Sequence, residues 1–162
     1  MLIFWAMLML SFAGPEMIPE TDEDLLGRSA PDFTLPTFDN QEITLSQLRG
    51  QAVLLSFWAS WCGPCRFELP ELSRIQPDYP NVKFVAVNVD RTRKDAEKFL
   101  SRVKFELPIA WDNEANILGE YGVISMPTMM LIDRNGTVVY VKVGYSREKK
   151  LKELEEKIKG LK

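Results

Sequence analysis

Two cysteines, Cys62 and Cys65, are the only thiols of the chain, and they lie three positions apart in the segment FWASWCGPCRFELP at residues 57–70. Thiols at this spacing can exchange electrons through a disulfide, close a structural disulfide or bind a soft metal ion. The chain contains no histidine, so it can form neither a Cys–His nucleophile pair nor a Cys₂His₂ zinc site. Any chemistry must therefore use thiols, carboxylates, lysines or tyrosines.

The spacing of the pair favours redox chemistry over the other two interpretations. A disulfide that spans so few residues closes a very small loop and stabilises a fold little. A metal site would need two more soft ligands, and the sequence offers no further cysteine. A redox pair is the interpretation that the residues favour, while a simple two-thiolate Cu(I) site stays open as an alternative.

The position of the pair explains how one thiol could be activated. The apolar run at residues 53–58 predicts a strand buried on both faces, and a helix should follow Cys62. Backbone N–H groups at a helix N-terminus favour negative charge, so a thiolate there is stabilised and nucleophilic. We therefore expect Cys62 to be exposed and to attack, and Cys65 to resolve the mixed disulfide. Pro64 suits the first helical turn, where no N–H is needed.

Strands and helices alternate along the rest of the chain. Strands are predicted at residues 32–35, 42–45, 53–58, 82–89, 107–111, 128–133 and 137–143. Helices are predicted after Cys62, over residues 92–103, from Asp112 to near Gly122, and from Ser146 onward, with a short turn capped by Ser46. Asp39-Asn40 and Asn135-Gly136 are hairpin signals. This order predicts an α/β fold, a three-layer sandwich around a mixed sheet.

The N-terminal residues differ in character from the rest. Residues 1–13 form an apolar leader in which residues 2–13 are apolar apart from Ser11, and as a helix these twelve residues would reach about 18 Å, short of a bilayer core of about 30 Å. The run predicts an export signal or a truncated membrane anchor, with a buried strand or helix as the alternative. Residues 14–24 form an acidic linker, and residues 25–162 form the folded domain.

Composition adds few constraints. The chain has 162 residues, of which 46% are hydrophobic and 27% charged, as in an ordinary globular protein with a sizeable core. The formal net charge is −3, whereas a nucleic-acid binder usually carries a basic excess. A nucleic-acid partner is therefore not expected.

Several segments beyond the cysteines carry a family resemblance. WCGPC after an apolar strand resembles the thioredoxin active site, and Met126-Pro127-Thr128 resembles the cis-proline loop opposite it. The wider set resembles the TlpA/ResA-like thiol-disulfide oxidoreductases, and consists of APDFTL at 30–35, LRG at 48–50, ELP at 68–70 and LIDRNG at 131–136. The resemblance runs from about residue 25 to the C-terminus. It implies a thioredoxin-like fold with an N-terminal β-hairpin and an extra helix and strand at residues 92–111.

Glu68 is the residue by which the chain departs most from thioredoxin. Thioredoxins carry a buried Asp in the strand before the motif, where this chain has Ser56. Glu68 instead lies three positions after Cys65, on the face expected to look toward the thiols. The resemblance implies that it exchanges protons with Cys65, and an ordinary surface Glu is the alternative. Arg66 either adds positive charge near the thiolate or is simply solvated.

The resemblance also assigns roles to residues around the pair. A cis Pro127 would present the backbone of Met126 to an extended substrate peptide, and a simple strand-entry proline is the alternative. Trp61 is expected at the rim of the site and Trp58 in the core. Gly63 and Pro64 form the dipeptide of reducing thioredoxins. Apart from a redox-active disulfide between the two cysteines, no cofactor or metal is expected.

These features predict an exported protein-disulfide reductase, monomeric, at the outer face of the cytoplasmic membrane. The resemblance implies apocytochrome c as a substrate and a membrane thiol carrier as electron donor. A thiol peroxidase of the peroxiredoxin kind is one rival, but its motif places Pro seven and Thr three positions before the reactive Cys. Those positions hold Leu55 and Ala59 before Cys62, and Trp58 and Cys62 before Cys65. A copper-binding assembly factor is the other rival.

Overall fold

The computed structural model describes residues 22–161. The strands in chain order are β1 (Thr34–Pro36), β2 (Glu42–Thr44), β3 (Ala52–Trp58), β4 (Val82–Asn88), β5 (Ile109–Trp111), β6 (Thr128–Ile132) and β7 (Val138–Val143). The helices are α1 (Cys65–Ile75), α2 (Arg93–Leu100), α3 (Asn116–Glu120) and α4 (Arg147–Lys159), with 3₁₀ turns at Asp22–Leu25, Leu45–Leu48 and Gln76–Asp78.

The central sheet has five strands in the order β5-β4-β3-β6-β7, and β1 and β2 form a separate hairpin. β3 pairs parallel with β4 and antiparallel with β6, so the sheet is mixed. α2 and β5 lie between β4 and β6, where the helix and strand of the insertion were expected. The predicted mixed sheet, N-terminal hairpin and insertion are confirmed.

Both faces of the sheet are covered, which explains why β3 has no polar face. Successive strand residues point to opposite sides, so Leu54 and Trp58 join a cluster with residues of α1, α2 and α4. Val53 and Phe57 face the other way and join a cluster with residues of the hairpin and α3. The three predicted layers are therefore the helices α1, α2 and α4, the central sheet, and the hairpin together with α3.

The ends of several elements differ from prediction for identifiable reasons. The strand predicted from residue 107 begins at Ile109, because Pro108 has no N–H to donate to a ladder. The helix predicted to residue 103 ends at Leu100, where the N–H groups of residues 102 and 103 both turn back to the Phe99 carbonyl. The hairpin strands start or end within two residues of their predicted bounds.

The cap prediction was right at two positions and wrong at a third. Thr92 Oγ1 accepts from the Asp95 N–H at 3.3 Å at the start of α2. Asp112 accepts from the N–H groups of residues 116 and 118 at 3.0 and 2.9 Å at the start of α3. Ser46 does not cap the 3₁₀ turn; its own N–H donates to Asp32 Oδ1 at 2.8 Å. A carboxylate distant in sequence thus does what the local hydroxyl was expected to do.

The C-terminal helix packs by the predicted face. Leu154 and Ile158 are buried in the cluster beneath α1, and Leu151 and Leu161 pack against its edge. The predicted leader and most of the predicted linker lie outside the described residues. The described end of that linker forms the turn Asp22–Leu25, in which Leu25 is buried. Within residues 22–161 no helix is long and apolar enough to cross a membrane.

Candidate active site

The two cysteines form a disulfide in the loop between β3 and α1. The S–S distance is 1.98 Å and the two Cα atoms lie 5.4 Å apart. The Cys65 N–H, at the first residue of α1, donates to Cys62 Sγ at 3.3 Å. The helix N-terminus is therefore directed at the sulfur of Cys62, as the position of the pair implied.

The prediction that Cys62 is exposed is wrong, but Cys62 is still more accessible than Cys65. Cys62 was expected to be exposed, but only 4% of it is, and Cys65 is fully buried at 0%. The cause is a tight turn, in which the Cys62 N–H donates to the Ala59 carbonyl at 3.0 Å and folds Cys62 back onto the core. The helix also begins at Cys65, later than expected, because Pro64 takes the N-cap position. Of the two cysteines, only Cys62 keeps any accessible surface.

Glu68 is buried, so its interpretation as a surface residue is wrong. Only 1% of Glu68 is exposed, and its Oε1 accepts from Ser56 Oγ at 2.8 Å. Ser56, which stands where thioredoxins carry a buried Asp, therefore orients a carboxyl that comes from the helix instead. A buried carboxylate is costly unless it is hydrogen-bonded, and one turn separates this one from the resolving thiol.

The charge of Glu68 also affects the pKa of Tyr140, a buried residue of β7. Burial raises the pKa of Tyr140 above its ordinary value, and the charges of Glu153 and Glu68 add to that increase. Tyr140 lies in the same buried cluster as both cysteines. The disulfide therefore sits in a core that also holds an ionisable carboxyl and a phenol.

The loop before β6 lies at the end of β3 from which the cysteine loop leaves. The Met126-Pro127 peptide bond is cis. Thr128 pairs with Phe57 across the sheet, so Pro127 falls beside the carboxyl end of β3. Pro127 is buried, and the half-buried Met126 packs against the cluster that contains both cysteines. The structure thus brings Met126 and Pro127 to the disulfide.

The remaining predicted residues lie around this site. Trp61 is 71% exposed and forms the rim, while Trp58 is fully buried, as expected for each. Among the described residues, no atom outside Gly63 and its two chain neighbours lies within 4 Å of the position that a Cβ on Gly63 would take. Arg66 is exposed, and its Nε donates to the Gly63 carbonyl at 3.1 Å.

Sequence reasoning missed Asp90, which holds the loop before the cysteines. Asp90 is 4% exposed and follows β4. Its carboxylate accepts from the Ser60 N–H at 2.9 Å, from the Ser60 hydroxyl at 2.8 Å and from the Asn88 amide at 2.8 Å. Its carbonyl accepts from the Trp111 indole at 2.7 Å. The available signal was its place after a buried strand, since the carboxyl ends of parallel β3 and β4 share one edge.

Comparison with known proteins agrees with this geometry. A family model described as the AhpC/TSA family matches residues 26–141. The thiol-disulfide oxidoreductase ResA of Geobacillus thermodenitrificans is 38% identical over 136 residues, which cover 83% of this chain and 78% of that protein. ResA of Geobacillus kaustophilus is 39% identical over 121 residues, or 74% of this chain and 70% of that protein.

Solved structures give the same result. A Chlorobium tepidum protein assigned as a thiol:disulfide interchange protein DsbE superposes with a TM-score of 0.78 at 42% identity, covering 83% of this chain and 96% of that one. StoA from Bacillus subtilis superposes with a TM-score of 0.66 at 30% identity, covering 78% and 97%. Fold and cysteine pair together define a thioredoxin-like thiol-disulfide oxidoreductase. The chain belongs to the AhpC/TSA family and, within it, to the TlpA/ResA-like group.

Replacing Glu68 tests its proton-handling role. A nearby negative charge disfavours a second one, so Glu68→Gln should lower the apparent pKa of the active-site thiols. It should also slow the resolving step, because Cys65 would lose its proton acceptor. Rates of thiol exchange across pH would measure both effects. The control is Glu71→Gln, which removes a carboxylate bonded to Arg74 at the surface of the same helix. Identical pH profiles for Glu68→Gln and the native protein would contradict the role.

Replacing Asp90 tests the anchoring of the cysteine loop. Asp90→Ala leaves the donors of Ser60 and Asn88 without their acceptor, which should lower the free energy of unfolding by about 2–3 kcal/mol. The rate of attack by Cys62 should also fall, and Asp90→Asn, which keeps one acceptor oxygen, should restore part of both. Urea unfolding and exchange kinetics measure them. Asp78→Ala, at an exposed residue, should change stability by less than about 0.5 kcal/mol. An Asp90→Ala protein with native exchange rates would show that the contact serves stability alone.

Proposed function

We propose that this oxidoreductase works as a reductant of protein disulfides outside the cytoplasm. The observation that carries the proposal is the disulfide at the N-terminus of α1, in which Cys65 is fully buried while Cys62, 4% exposed, keeps some accessible surface next to the exposed Trp61. A substrate sulfur can reach only Cys62, so exchange must begin there. The Gly63-Pro64 dipeptide between the cysteines, typical of reducing thioredoxins, supports the reducing direction.

The reaction transfers two electrons in two exchanges. In the reduced protein the Cys62 thiolate attacks one sulfur of the substrate disulfide, forms a mixed disulfide and releases the first substrate thiolate. Cys65 then attacks Cys62 Sγ, forms the intramolecular disulfide and releases the second substrate thiol. The Cys65 N–H, placed at Cys62 Sγ, stabilises the attacking thiolate. Glu68 accepts the Cys65 proton as that thiol becomes a nucleophile.

The proposal extends to the surroundings of the enzyme. An oxidising compartment forms disulfides in proteins whose cysteines must stay free, and apocytochrome c, whose haem-binding thiols must be reduced, is the proposed substrate. A membrane thiol carrier would return the pair to its reduced form. The apolar residues 1–13 support export or anchoring at the outer face of the membrane. The protein is proposed to act as a monomer.

The two rival functions find less support. The positions that would carry the Pro and Thr of a peroxidase before Cys62 are Leu55, fully buried in β3, and Ala59, also fully buried. A copper-binding factor would have to hold Cu(I) with Cys62 and Cys65 alone, because in residues 22–161 no group of three His, Cys, Asp or Glu side chains could hold a metal ion. Metal analysis of the purified protein, together with an insulin reduction assay, separates reductase, peroxidase and copper factor.

A trapping experiment in the native host tests both the roles of the thiols and the location. Cys65→Ser should accumulate mixed disulfides through Cys62, because the resolving thiol is missing, whereas Cys62→Ser should accumulate none. Cell fractionation followed by non-reducing electrophoresis detects the complexes. They should be found with the membrane or outside the cell.

Two outcomes would contradict the proposal separately. Trapped complexes in the Cys62→Ser variant would reverse the assignment of attacking and resolving thiols. Full-length protein and its complexes in the cytosol would overturn the proposed location while leaving the chemistry intact.

A further inference from the structure

A groove of about 550 Å³ lies beside the active-site loop and is not used by the mechanism above. One wall is formed by Trp61 and Arg66 of the cysteine loop and α1. The other is one face of α2 and the turn after it, with Lys98, Phe99 and Arg102. Asp95, Lys98 and Phe99 share one face of α2 at helical spacing, and Arg102 continues this wall in the turn after the helix. We call this space the basic groove.

The basic groove carries an excess of positive charge. Arg66, Lys98 and Arg102 line it, against a single acid, Asp95. Within residues 22–161 none of the three cations forms an ion pair. Asp95 is engaged at the start of α2, where its Oδ2 accepts from the Thr92 hydroxyl at 2.6 Å. The groove therefore offers cations whose charge no described acidic side chain neutralises by direct contact.

The position of the basic groove links it to the attacking thiol. Trp61, which is 71% exposed in the groove wall, directly precedes Cys62. On the opposite wall, the ring of Phe99 packs on the buried Trp58 at a centroid distance of 4.9 Å. α2 is thereby fixed to the core beneath the disulfide. A chain that lies in the groove would therefore contact Trp61, the residue next to the attacking cysteine.

The dimensions of the groove suit a short stretch of polypeptide. Within α2, Asp95 and Phe99 are separated by about 6 Å along the helix axis, which is the length of about two residues of extended chain. Arg102 lengthens this wall beyond the end of the helix. Anionic side chains on such a stretch would meet Lys98 and Arg102 on one side and Arg66 on the other. The exposed indole of Trp61 supplies an apolar contact next to the cysteine.

We propose that the basic groove binds an acidic segment of the substrate polypeptide next to its disulfide, and that it selects substrates by this charge. The inference rests on the proposed reductase function and adds a substrate class to it, namely disulfides flanked by Asp or Glu. Charge complementarity at an exposed site raises association rates and sets specificity more than it raises affinity. The preference should therefore appear in kcat/KM and weaken with salt.

The test compares two peptides that carry the same disulfide, flanked by three Glu or by three Lys residues. The native protein is expected to reduce the Glu peptide with a kcat/KM about tenfold higher, and the difference should shrink at high ionic strength. Lys98→Glu combined with Arg102→Glu should reverse the preference. Lys94→Gln is the control, because Lys94 lies on the same helix outside the groove wall and a neutral Gln cannot form an ion pair with Lys98 one turn later. This variant should keep the native preference.

Each rate is divided by the rate of the same variant with a small neutral disulfide, so a general loss of activity does not count as a loss of selectivity. Equal kcat/KM for both peptides with the native protein, or a preference that salt leaves unchanged, would overturn the inference without any variant. An equal response of Lys94→Gln and the double variant would overturn it too. Failure of the reduced native protein to reduce any of the three disulfides would instead overturn the proposed function.

Discussion

The structure depends on the pairing of β3, which runs parallel to β4 along its whole length and antiparallel to β6 over residues 53–57. This register brings three separate chain segments to the carboxyl end of one buried strand. The cysteine loop leaves β3 there, Asp90 follows the parallel neighbour, and Met126-Pro127 enters the antiparallel one. Helices cover one face of the sheet, and the hairpin with α3 covers the other. The carboxyl end of β3 is therefore where the chain can present reactive groups that are supported by the buried sheet.

The site places polar groups inside an apolar core, which a fold selected for stability alone would avoid. Glu68 and Asp90 are both almost fully buried, and each is oriented by a serine, through Ser56 for the first and Ser60 for the second. One carboxyl lies a helical turn beyond Cys65, and the other holds the loop that leads to Cys62.

The sequence predicted the features that depend on residues close together in the chain, and it missed the contacts between distant segments. The buried strands, the α1 start near the cysteines and the Asn135-Gly136 hairpin rest on residues close in sequence, and the structure agrees with them. The burial of Cys62, the Asp32 contact to the 3₁₀ turn and the Asp90 contacts to the cysteine loop join distant segments. Spacing and periodicity carry no information about such contacts, and the family resemblance named the residues of the site without their partners.

The central claim is that the Cys62 and Cys65 pair is held in the reduced state for donation to substrates. Its reduction potential tests this most directly, by equilibrating the purified protein in thiol and disulfide buffers of known potential and counting free thiols. The account predicts a reduction potential close to that of thioredoxin, which is about −270 mV. A value near the about −120 mV of a strong disulfide oxidant such as DsbA would contradict it, because such a pair would form disulfides in its partners instead of removing them.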